Sequence, residues 1–365
     1  MAAAAGLADT LTTHVRRLDE PRRIAGIDLA RGLAVIGMLA AHLFALGPLE
    51  WADPATWGSI ASGRSSILFA LAAGVSIALV TGGPRPLEGV ARTVRSRWLA
   101  RRALVLWMLG LLLIATGVPV YVILPAYALL FLMAIPFLGL RARALAAWAA
   151  GIALVVPWIL PTTDALPIWD TLPGEAVWLF FGLAYPAPLW IAFVLAGMAI
   201  GRLDLRRPAA LWALAVGGAA LTVLSELLAL VPVDAQSYLG QVWTTSPHSG
   251  GLLEVWGSCG FAVAVMALSI LLCRTPVSAA LLPIRATGSM PLTAYSAQIV
   301  IWAIWSFLAL GTTTDLYGFR ALQPFWPMVF GILIGCTLWA LLRGRGPLER
   351  LVERFSAPRA DRLGR

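Results

Sequence analysis

The stretch "RRIAGIDLARGLAVIGMLAAHLFALG" (residues 22–47) decides how the rest of this sequence is interpreted. From Ile24 onward it is apolar enough and long enough to cross a bilayer as a helix. It nevertheless contains Asp28, Arg31 and His42. Ionisable side chains are costly in hydrocarbon, and they occur there mostly where they face a bundle interior or serve a function. The stretch therefore predicts a membrane helix with one polar face.

The composition of the whole chain predicts the same class of protein. Of the 365 residues, 60% are hydrophobic and 12% are charged, and the mean hydropathy is +0.84. A soluble chain has about 25% charged residues. We therefore expect an all-α fold, a polytopic transmembrane helical bundle of about ten spans. The apolar runs that suggest these spans lie at 26–47, 58–82, 98–117, 119–139, 144–161, 178–200, 209–231, 255–273, 286–310 and 323–342.

The distribution of arginine predicts the orientation of this bundle. The chain has 27 arginines and no lysine, and 24 of the arginines fall in the termini or in loops on the same side as the termini. Arg320 alone falls in a loop on the opposite side. The positive-inside rule then places both termini in the cytoplasm. Because this bias explains the net charge of +9, nucleic-acid binding is excluded as its cause.

The same reasoning divides the chain into three parts. We expect a cytoplasmic arm at 1–25, a transmembrane domain at 26–342 and a basic cytoplasmic tail at 343–365. The first span is not expected to be a cleaved signal peptide, because two charged residues interrupt the place of the apolar region that such a peptide needs.

The polar residues of the first span share one face of its helix. At about 100° per residue, Asp28, Arg31 and His42 project onto a single stripe. His42 lies about 16 Å farther along the helix axis than Arg31, toward the expected outer side. Two interpretations stay open. The stripe lines a functional conduit, or Asp28 and Arg31 form a structural ion pair while His42 hydrogen-bonds a carbonyl group.

The second span begins with an arginine on the expected outer side. Arg64 departs from the charge bias, which indicates an anionic partner such as Glu50, Asp53 or a substrate. Small residues then recur at four-residue spacing, a pattern that allows two helices to approach closely. These residues are Ala70, Gly74 and Ala78.

A cluster of arginines precedes the third span, in the stretch "RSRWLARRALVLW". Arg97, Arg101 and Arg102 either anchor this helix to anionic lipid or bind phosphate groups at a cytoplasmic mouth. A metal site is not expected, because the three cysteines form no Cys-x-x-Cys pair and no other metal-ligand spacing occurs.

Two later stretches contain further candidate residues. His248 lies in "TTSPHSGGLLEVWGS", in a loop on the expected outer side that is otherwise typical of a solvated turn. In the ninth predicted span, Tyr295, Gln298 and Trp302 recur at helical spacing and place a phenol and an amide on one face. Such a face either holds helices together or lines a cavity.

Several stretches resemble known membrane proteins. The stretches "GIDLARGLAVIGMLAAH", "WGSIASGRSSILFALAAGVSIAL" and "RRALVLWMLGLLL" resemble the membrane acyltransferase-like group related to heparan-alpha-glucosaminide N-acetyltransferase. In the C-terminal half, "PHSGGLLEVWGSCGFAVAV", "ATGSMPLTAYSAQ" and "GRGPLERLVERF" resemble the bacterial YeiB-like membrane proteins of the same superfamily.

The resemblance implies a function. Members of this group take an acetyl or other acyl group from cytoplasmic acyl-CoA and pass it to an acceptor, typically a sugar, across the membrane. Asp28 and Arg31 match the group's Asp-x-x-Arg-Gly element. The group's active histidine precedes the tryptophan that matches Trp57, and here that loop reads "EWADPATW" without a histidine. His42 is the nearest substitute.

We can therefore assign expected roles. Catalysis falls to His42, Arg64 and His248, with histidine as the base and donors for the oxyanion nearby. Acyl-CoA binding is expected at Asp28, Arg31, Arg97, Arg101 and Arg102, and the acceptor cavity at Asp53, Trp57, Tyr295 and Gln298. Acetyl-CoA or another acyl-CoA acts as a substrate, with no permanently bound cofactor. The expected partners are the lipid bilayer and a sugar or glycoconjugate acceptor, not nucleic acid, and a homodimer is compatible with the sequence.

Two other functions are compatible with the sequence. A transporter or flippase-like protein without chemistry would place ten spans as two halves, but no similarity between residues 24–161 and 178–342 supports an internal repeat. A non-catalytic membrane scaffold would use the polar stripe structurally. The expected location in either case, as for the acyltransferase, is a bacterial-type plasma (inner) membrane.

The orientation is testable with reporter fusions. A reporter whose activity depends on its side of the membrane, fused after Pro54 or after Gly83, should report opposite sides, because a span separates the two positions. Fusions at the two ends of the chain should both report the cytoplasm. Equal sidedness at Pro54 and Gly83 would contradict the ten-span arrangement.

Overall fold

The computed structural model describes residues 13–14, 17–20, 23–44, 47, 49–50 and 52–357. Its secondary structure is helical, and these residues contain no strand. Some of the arginines used above to predict orientation lie outside the described residues, namely Arg16, Arg22, Arg359, Arg362 and Arg365.

The helices follow one another with short connections. The α-helices are α1 (Ala25–Leu43), α2 (Arg64–Val80), α3 (Gly89–Ile114), α4 (Leu124–Ala134), α5 (Ala142–Val155), α6 (Leu160–Asp164), α7 (Leu172–Phe181), α8 (Ala187–Gly201), α9 (Pro208–Ala229), α10 (Tyr238–Val242), α11 (Leu252–Leu272), α12 (Val277–Ala280), α13 (Leu282–Ser289), α14 (Pro291–Leu310), α15 (Leu316–Ala321), α16 (Phe325–Arg343) and α17 (Pro347–Ser356). Short 3₁₀ helices lie at Pro54–Ala61, Ile135–Phe137, Val156–Trp158 and Pro167–Asp170.

The described part of the chain contains six helices that are long and apolar enough to cross a membrane. They are α1, the segment Pro54–Val80 that includes α2, and α9, α11, α14 and α16. A bent pair, Ala142–Trp158 followed by Leu160–Asp170 with a 51° angle, would make a seventh span. The protein is thus an all-helical, multi-pass membrane protein.

The structure does not confirm ten spans in its described residues. The remaining predicted spans fall on the arginine-rich helix α3 and on apolar helices that are shorter than a bilayer-spanning helix. Proline divides this region into short pieces, since it stands in the first two positions of α4, α6, α7 and α8. Proline is compatible with the first turn of a helix and disrupts a helix interior.

The chain forms two compact units. Unit 1 comprises residues 1–65, 115–120 and 266–354, and unit 2 comprises residues 66–114, 121–265 and 355–365. In unit 1, helix α1 packs against α13, α14 and α16, and α13 also packs against α16. In unit 2, helix α8 packs against α4 and α5, and α3 packs against α4.

Glycines allow the helices of each unit to approach one another. In unit 1, a Cβ atom added to Gly288 of α13 would lie 1.7 Å from the carbonyl oxygen of Asp28, and one on Gly32 would lie 2.1 Å from the carbonyl oxygen of Ile284. In unit 2, a Cβ on Gly74 would lie 2.0 Å from the carbonyl oxygen of Val194. The close approach predicted from the small residues of the second span is therefore confirmed, with α8 as its partner.

A buried arginine joins three segments of unit 2. Arg202 follows α8, and its Nη1 donates hydrogen bonds to the carbonyl groups of Ala78, Thr81 and Gly83. Its Nη2 donates to the carbonyl of Leu138. In the sequence this arginine contributes to the basic bias, but in the fold its side chain satisfies carbonyl groups at helix ends, which would be costly if left unpaired.

A carboxylate from the C-terminal helix caps α14 in unit 1. Glu349 Oε1 accepts hydrogen bonds from the backbone N–H groups of Leu292 (2.8 Å) and Thr293 (3.1 Å). Its Oε2 accepts one from Thr293 Oγ1 at 2.5 Å. No side chain at the N-cap position of α14 fills this role. The motif "GRGPLER" therefore contributes the cap of a helix that begins about 60 residues earlier in the chain.

The cap gives a stability prediction. Glu349→Ala should lower the free energy of unfolding by about 1–3 kcal/mol, because it removes a charged acceptor and leaves N–H groups of α14 unpaired. Thermal unfolding of the purified protein in detergent would measure this change. The matched control is Glu353→Ala on the same helix, whose carboxylate pairs with Arg345 at an exposed position. An equal effect of both changes would contradict the capping role.

Candidate functional site

One end of α1 carries a cluster of charges in unit 1. Asp28 is 4% exposed. One of its carboxylate oxygens accepts a hydrogen bond from Arg23 Nε at 2.5 Å, and the other lies 3.5 Å from Arg31 Nη1. The position of Asp28 in the first turn also favours a negative charge, because the N-terminus of a helix is the positive end of its dipole. The pair predicted from sequence is present, and Arg23 is a second, nearer partner that the sequence analysis missed.

Helix α13 holds a second buried arginine at this end of unit 1. Arg285 is 3% exposed. Its Nη1 donates to the carbonyl and the hydroxyl oxygen of Ser278, and its Nη2 donates to the carbonyl of Leu18 and to the carboxylate of Asp19. The segment before α1 is therefore tied to α13 at the end of the unit where Asp28 lies.

Helix α14, which carries the predicted polar face, runs parallel to α1. Near the start of α14, Glu349 caps the helix and interacts electrostatically with Arg31. Farther along, the ring of Trp302 lies 6.4 Å from the ring of His42, measured between centroids. From Arg31 to His42, and from Leu292 to Trp302, the rise is in both cases about 15–17 Å. The two helices are therefore parallel neighbours, with the charged cluster at one end and His42 at the other.

Helix α15 fixes the end of α1 that carries His42. Arg320 donates two hydrogen bonds to the carbonyl oxygen of His42, from Nε at 2.9 Å and from Nη2 at 2.7 Å. Phe319 stacks on Trp302 with ring centroids 5.0 Å apart. The C-terminus of a helix favours a cation, so this arrangement stabilises α1. Sequence reasoning identified Arg320 only as the exception to the charge bias, and that exception was the available signal.

The start of α2 lies against the same half of α1. A Cβ atom on Gly37 would be 2.1 Å from Ser65 Oγ, so the side chain of Ser65 lies directly against the backbone of α1 at Gly37. Arg64, the residue before it, is 8% exposed. Asp53 caps the following 3₁₀ helix by accepting a hydrogen bond from the N–H of Ala55 at 3.0 Å. Trp57 lies on that 3₁₀ helix and is 52% exposed.

The polar face predicted on α14 is buried. Tyr295, Gln298 and Trp302 are each 1% exposed. They lie on the helix that packs against α1 and α16. The structure thus brings Asp28, Arg31, His42 and these three residues into one unit on two neighbouring helices.

The arginine cluster of α3 belongs to unit 2. Arg97 and Arg101 are exposed, and Arg101 Nη1 donates a hydrogen bond to the carbonyl of Ala357. The guanidinium carbon of Arg102 lies 5.5 Å from the centroid of the Trp98 ring, a cation–π distance. Asp28 and Arg31 lie in unit 1, so the five residues expected to bind acyl-CoA are divided between the two units.

His248 also belongs to unit 2, where a buried carboxylate organises its loop. Glu254 is 6% exposed and accepts hydrogen bonds from the N–H of His248 (2.6 Å), the N–H of Gly250 (2.8 Å) and Ser249 Oγ (3.1 Å). His248 has a positive φ of 62°, which is uncommon for a residue with a side chain. The loop "PHSGGLLE" is therefore held in a defined conformation by hydrogen bonds to Glu254, whereas sequence reasoning treated it as a turn.

The ring of His248 contacts an aromatic ring. It lies edge-on to Tyr185 at 5.9 Å, and Tyr185 donates a hydrogen bond from its hydroxyl to the carbonyl of Tyr121. The residue is exposed, and desolvation by the neighbouring protein lowers the pKa of His248 from its ordinary value of 6.5.

Residues that could hold a metal ion do not come together in the part of the chain that the structure describes. Among the described residues, no group of three or more His, Cys, Asp or Glu side chains has the proximity that metal binding needs. Cys259, Cys273 and Cys336 are free thiols.

These features define a multi-pass helical membrane protein with ionisable side chains on the packed faces of its helices. Comparison with known proteins adds the family. The model described as "Heparan-alpha-glucosaminide N-acetyltransferase, catalytic" matches residues 23–227. The model described as "Protein of unknown function (DUF418)" matches residues 201–357. The searches for similar curated proteins and for similar solved structures each gave no match.

The first match covers more than half of the chain, and the chain therefore belongs to the family of heparan-alpha-glucosaminide N-acetyltransferase catalytic domains. The resemblance seen in the sequence is confirmed for both halves. Helices α1 and α2, with Asp28, His42 and Arg64, lie in the first match. Helix α14 and the loop of His248 lie in the second.

The charged cluster predicts unequal couplings. Asp28→Ala should lower the free energy of unfolding by about 2–3 kcal/mol, because two partly exposed guanidinium groups lose their counter-charge. Double-mutant cycles with Arg23→Ala and Arg31→Ala, measured by thermal unfolding in detergent, should give the larger coupling for Arg23, the nearer partner. Strict additivity for both pairs would show that the cluster does not act as a unit.

Proposed function

We propose that this protein is an integral membrane acyltransferase. It takes an acetyl or other acyl group from acyl-CoA on the cytoplasmic side and transfers it to a sugar-type acceptor on the outer side. Family membership supports acyl transfer as the reaction class. The observation that carries the proposal is the arrangement in unit 1, where one helix presents a charged cluster at one end and a histidine at the other.

The charged end suits the donor. The nucleotide part of acyl-CoA carries phosphate groups, and guanidinium groups bind phosphate through paired hydrogen bonds. Asp28 positions the guanidinium groups of Arg23 and Arg31. In unit 2, taken by itself, the exposed Arg97 and Arg101 and the neighbouring Arg102 also suit a phosphate group. In the alternative role these three residues bind anionic lipid.

The other end suits the chemistry. As the acceptor's oxygen or nitrogen attacks the thioester carbonyl, the imidazole of His42 takes the proton that the nucleophile loses. The carbonyl oxygen becomes an oxyanion, which Arg64, Tyr295 or Gln298 stabilises with a hydrogen bond. The carbon–sulfur bond then breaks, the thiolate of CoA leaves, and the proton returns from the imidazole to the sulfur. The acyl group ends on the acceptor, and Asp53 and Trp57 border its entry.

His248 is a second candidate for the base. Its imidazole, whose pKa is lowered by desolvation, and its loop held by Glu254 suit proton transfer. It belongs to unit 2, so its role is separable from that of His42 by mutation.

The finer topology belongs to the same proposal. We include ten spans, which the six candidate helices form together with the shorter and bent ones, and two cytoplasmic termini. This topology places the charged end of α1 on the side of acyl-CoA. A bacterial-type inner membrane fits a donor from the cytoplasm and a glycoconjugate acceptor outside. A homodimer is compatible with this arrangement.

An acyl-transfer assay on purified protein tests the proposal. His42→Ala should reduce transfer from acetyl-CoA by roughly 10²–10⁴-fold, because the nucleophile loses its general base. Binding of acetyl-CoA, measured separately, should stay close to normal, since the charged cluster is untouched.

His248→Ala is the matched comparison. Full activity of His42→Ala together with loss of activity in His248→Ala would transfer the role of base to His248. Full activity of both variants would rule out catalysis by histidine, and no transfer to any acceptor by the unaltered protein, despite its binding acetyl-CoA, would contradict the acyltransferase function itself.

A further inference from the structure

Helix α14 carries three polar side chains that are buried without a hydrogen-bond partner among the described residues, namely Ser296, Gln298 and Trp302. Gln298 and Trp302 are each 1% exposed. Neither Nε2 nor Oε1 of Gln298 makes a hydrogen bond, and neither does Nε1 of Trp302. The two residues are four apart and therefore lie on one face of the helix, one turn from each other.

Such groups are costly to bury. A native protein pairs the great majority of its buried polar groups, and each exception calls for an explanation. Ser296 Oγ on the same helix is also unpaired, but a serine hydroxyl in a helix can rotate to a carbonyl of the preceding turn. A glutamine amide has two donors and an acceptor at the end of a long side chain, and no such local rotation satisfies it. The orphaned amide and indole N–H therefore point to a ligand.

The position of Gln298 lies between the two ends of the candidate site. Along α14 it is about 9 Å from the level of Leu292, near the charged cluster, and about 6 Å from the level of Trp302, beside His42. At this height the polar stripe of α1 contains Val35 and Met38, which are apolar and buried. The neighbouring helix α1 therefore offers no side chain that could pair with the amide.

The chemistry of the two side chains selects a neutral ligand. The side chains of the α1 stripe at this height, Val35 and Met38, are uncharged, and a neutral ligand needs no counter-charge from them. A carboxamide matches a group that presents one acceptor and one donor side by side, because both ends of the amide are then satisfied. A secondary amide, with its C=O and N–H, is such a group, and Trp302 Nε1 adds one more donor.

We propose that Gln298 and Trp302 bind a secondary amide group of a substrate in the interior of unit 1. This inference rests on the proposed function for its ligands, and two substrates of acyl transfer contain this group. The pantetheine arm of acyl-CoA contains secondary amides between its phosphates and its sulfur. An N-acylated sugar contains one in its acetamido group. Gln298 then recognises the substrate by its amide, separately from the phosphate contacts at the charged end.

The test compares full-length protein variants in detergent by thermal unfolding, with and without two probes, pantetheine and N-acetylglucosamine. Gln298→Met keeps the length of the side chain and removes both polar ends. Trp302→Phe keeps an aromatic ring against Phe319 and removes only Nε1. The matched control is Ser306→Ala on the same helix, where a buried hydroxyl already donates a hydrogen bond to the carbonyl of Thr312 at 2.7 Å.

Without probe, Gln298→Met should unfold at the same temperature as the unaltered protein or at a higher one, because it removes an unsatisfied amide. Ser306→Ala should unfold at a lower temperature, because it loses a satisfied hydrogen bond. One of the probes should raise the unfolding temperature of the unaltered protein and of Ser306→Ala. Its affinity should fall about tenfold in Gln298→Met, and less in Trp302→Phe.

The outcomes distinguish the two sources of the amide. They also distinguish ligand binding by Gln298 from a purely structural role. A selective loss of pantetheine binding assigns the site to the donor's arm, and a selective loss of N-acetylglucosamine binding assigns it to an acylated sugar. Failure of Gln298→Met to fold, or a lower unfolding temperature without probe, would overturn the proposal, because Gln298 would then hold helices together. Probe binding that is absent from the unaltered protein, or unchanged in Gln298→Met and Trp302→Phe, would also overturn it. Because these measurements need no turnover, they stand even if acyl transfer fails.

Discussion

The burial of one carboxylate, that of Asp28, constrains much of unit 1. A charged group with little access to water needs counter-charges and hydrogen bonds, since otherwise its burial would destabilise the fold. Arg23 and Arg31 supply these from both sides along the chain. Helix α13 can lie against the same turn only because Gly288 has no side chain at that point. The first helix is therefore fixed in position and rotation by its polar residue.

The position of α1 also constrains the position of α14, the second helix with a polar face. Arg31 interacts electrostatically with Glu349, whose carboxylate also caps the N-terminus of α14. A cap satisfies N–H groups that a helix cannot pair by itself. At the far end, the ring contact between His42 and Trp302 and the hydrogen bonds from Arg320 hold the two helices in step. A substrate group that reaches His42 from the charged cluster would pass the level of Gln298.

Unit 2 has a different physical organisation. Several of its helices are short and have proline in their first turn, and α2 and α8 pack through glycine contacts. Its ionisable residues are held by backbone groups, as with Arg202 on four carbonyl oxygens and Glu254 on the loop of His248. These hydrogen bonds stabilise the segments that Arg202 and Glu254 join.

The sequence by itself determined the all-helical membrane class, the family, the shared face of Asp28, Arg31 and His42, and the buried face of α14. These follow from composition and from a helical period of 3.6 residues, which are local properties of the chain. The number of spans did not follow, because apolarity cannot show where proline ends a helix or whether a helix is long enough to cross. The partners of Arg23, Arg320 and Glu349 became known only from the tertiary structure. Each of these side chains contacts a group in a different segment, and helical periodicity relates only residues of the same helix. Only the packing of α14 in unit 1 showed that Gln298 is buried without a partner, because hydrogen-bond satisfaction depends on all surrounding segments together.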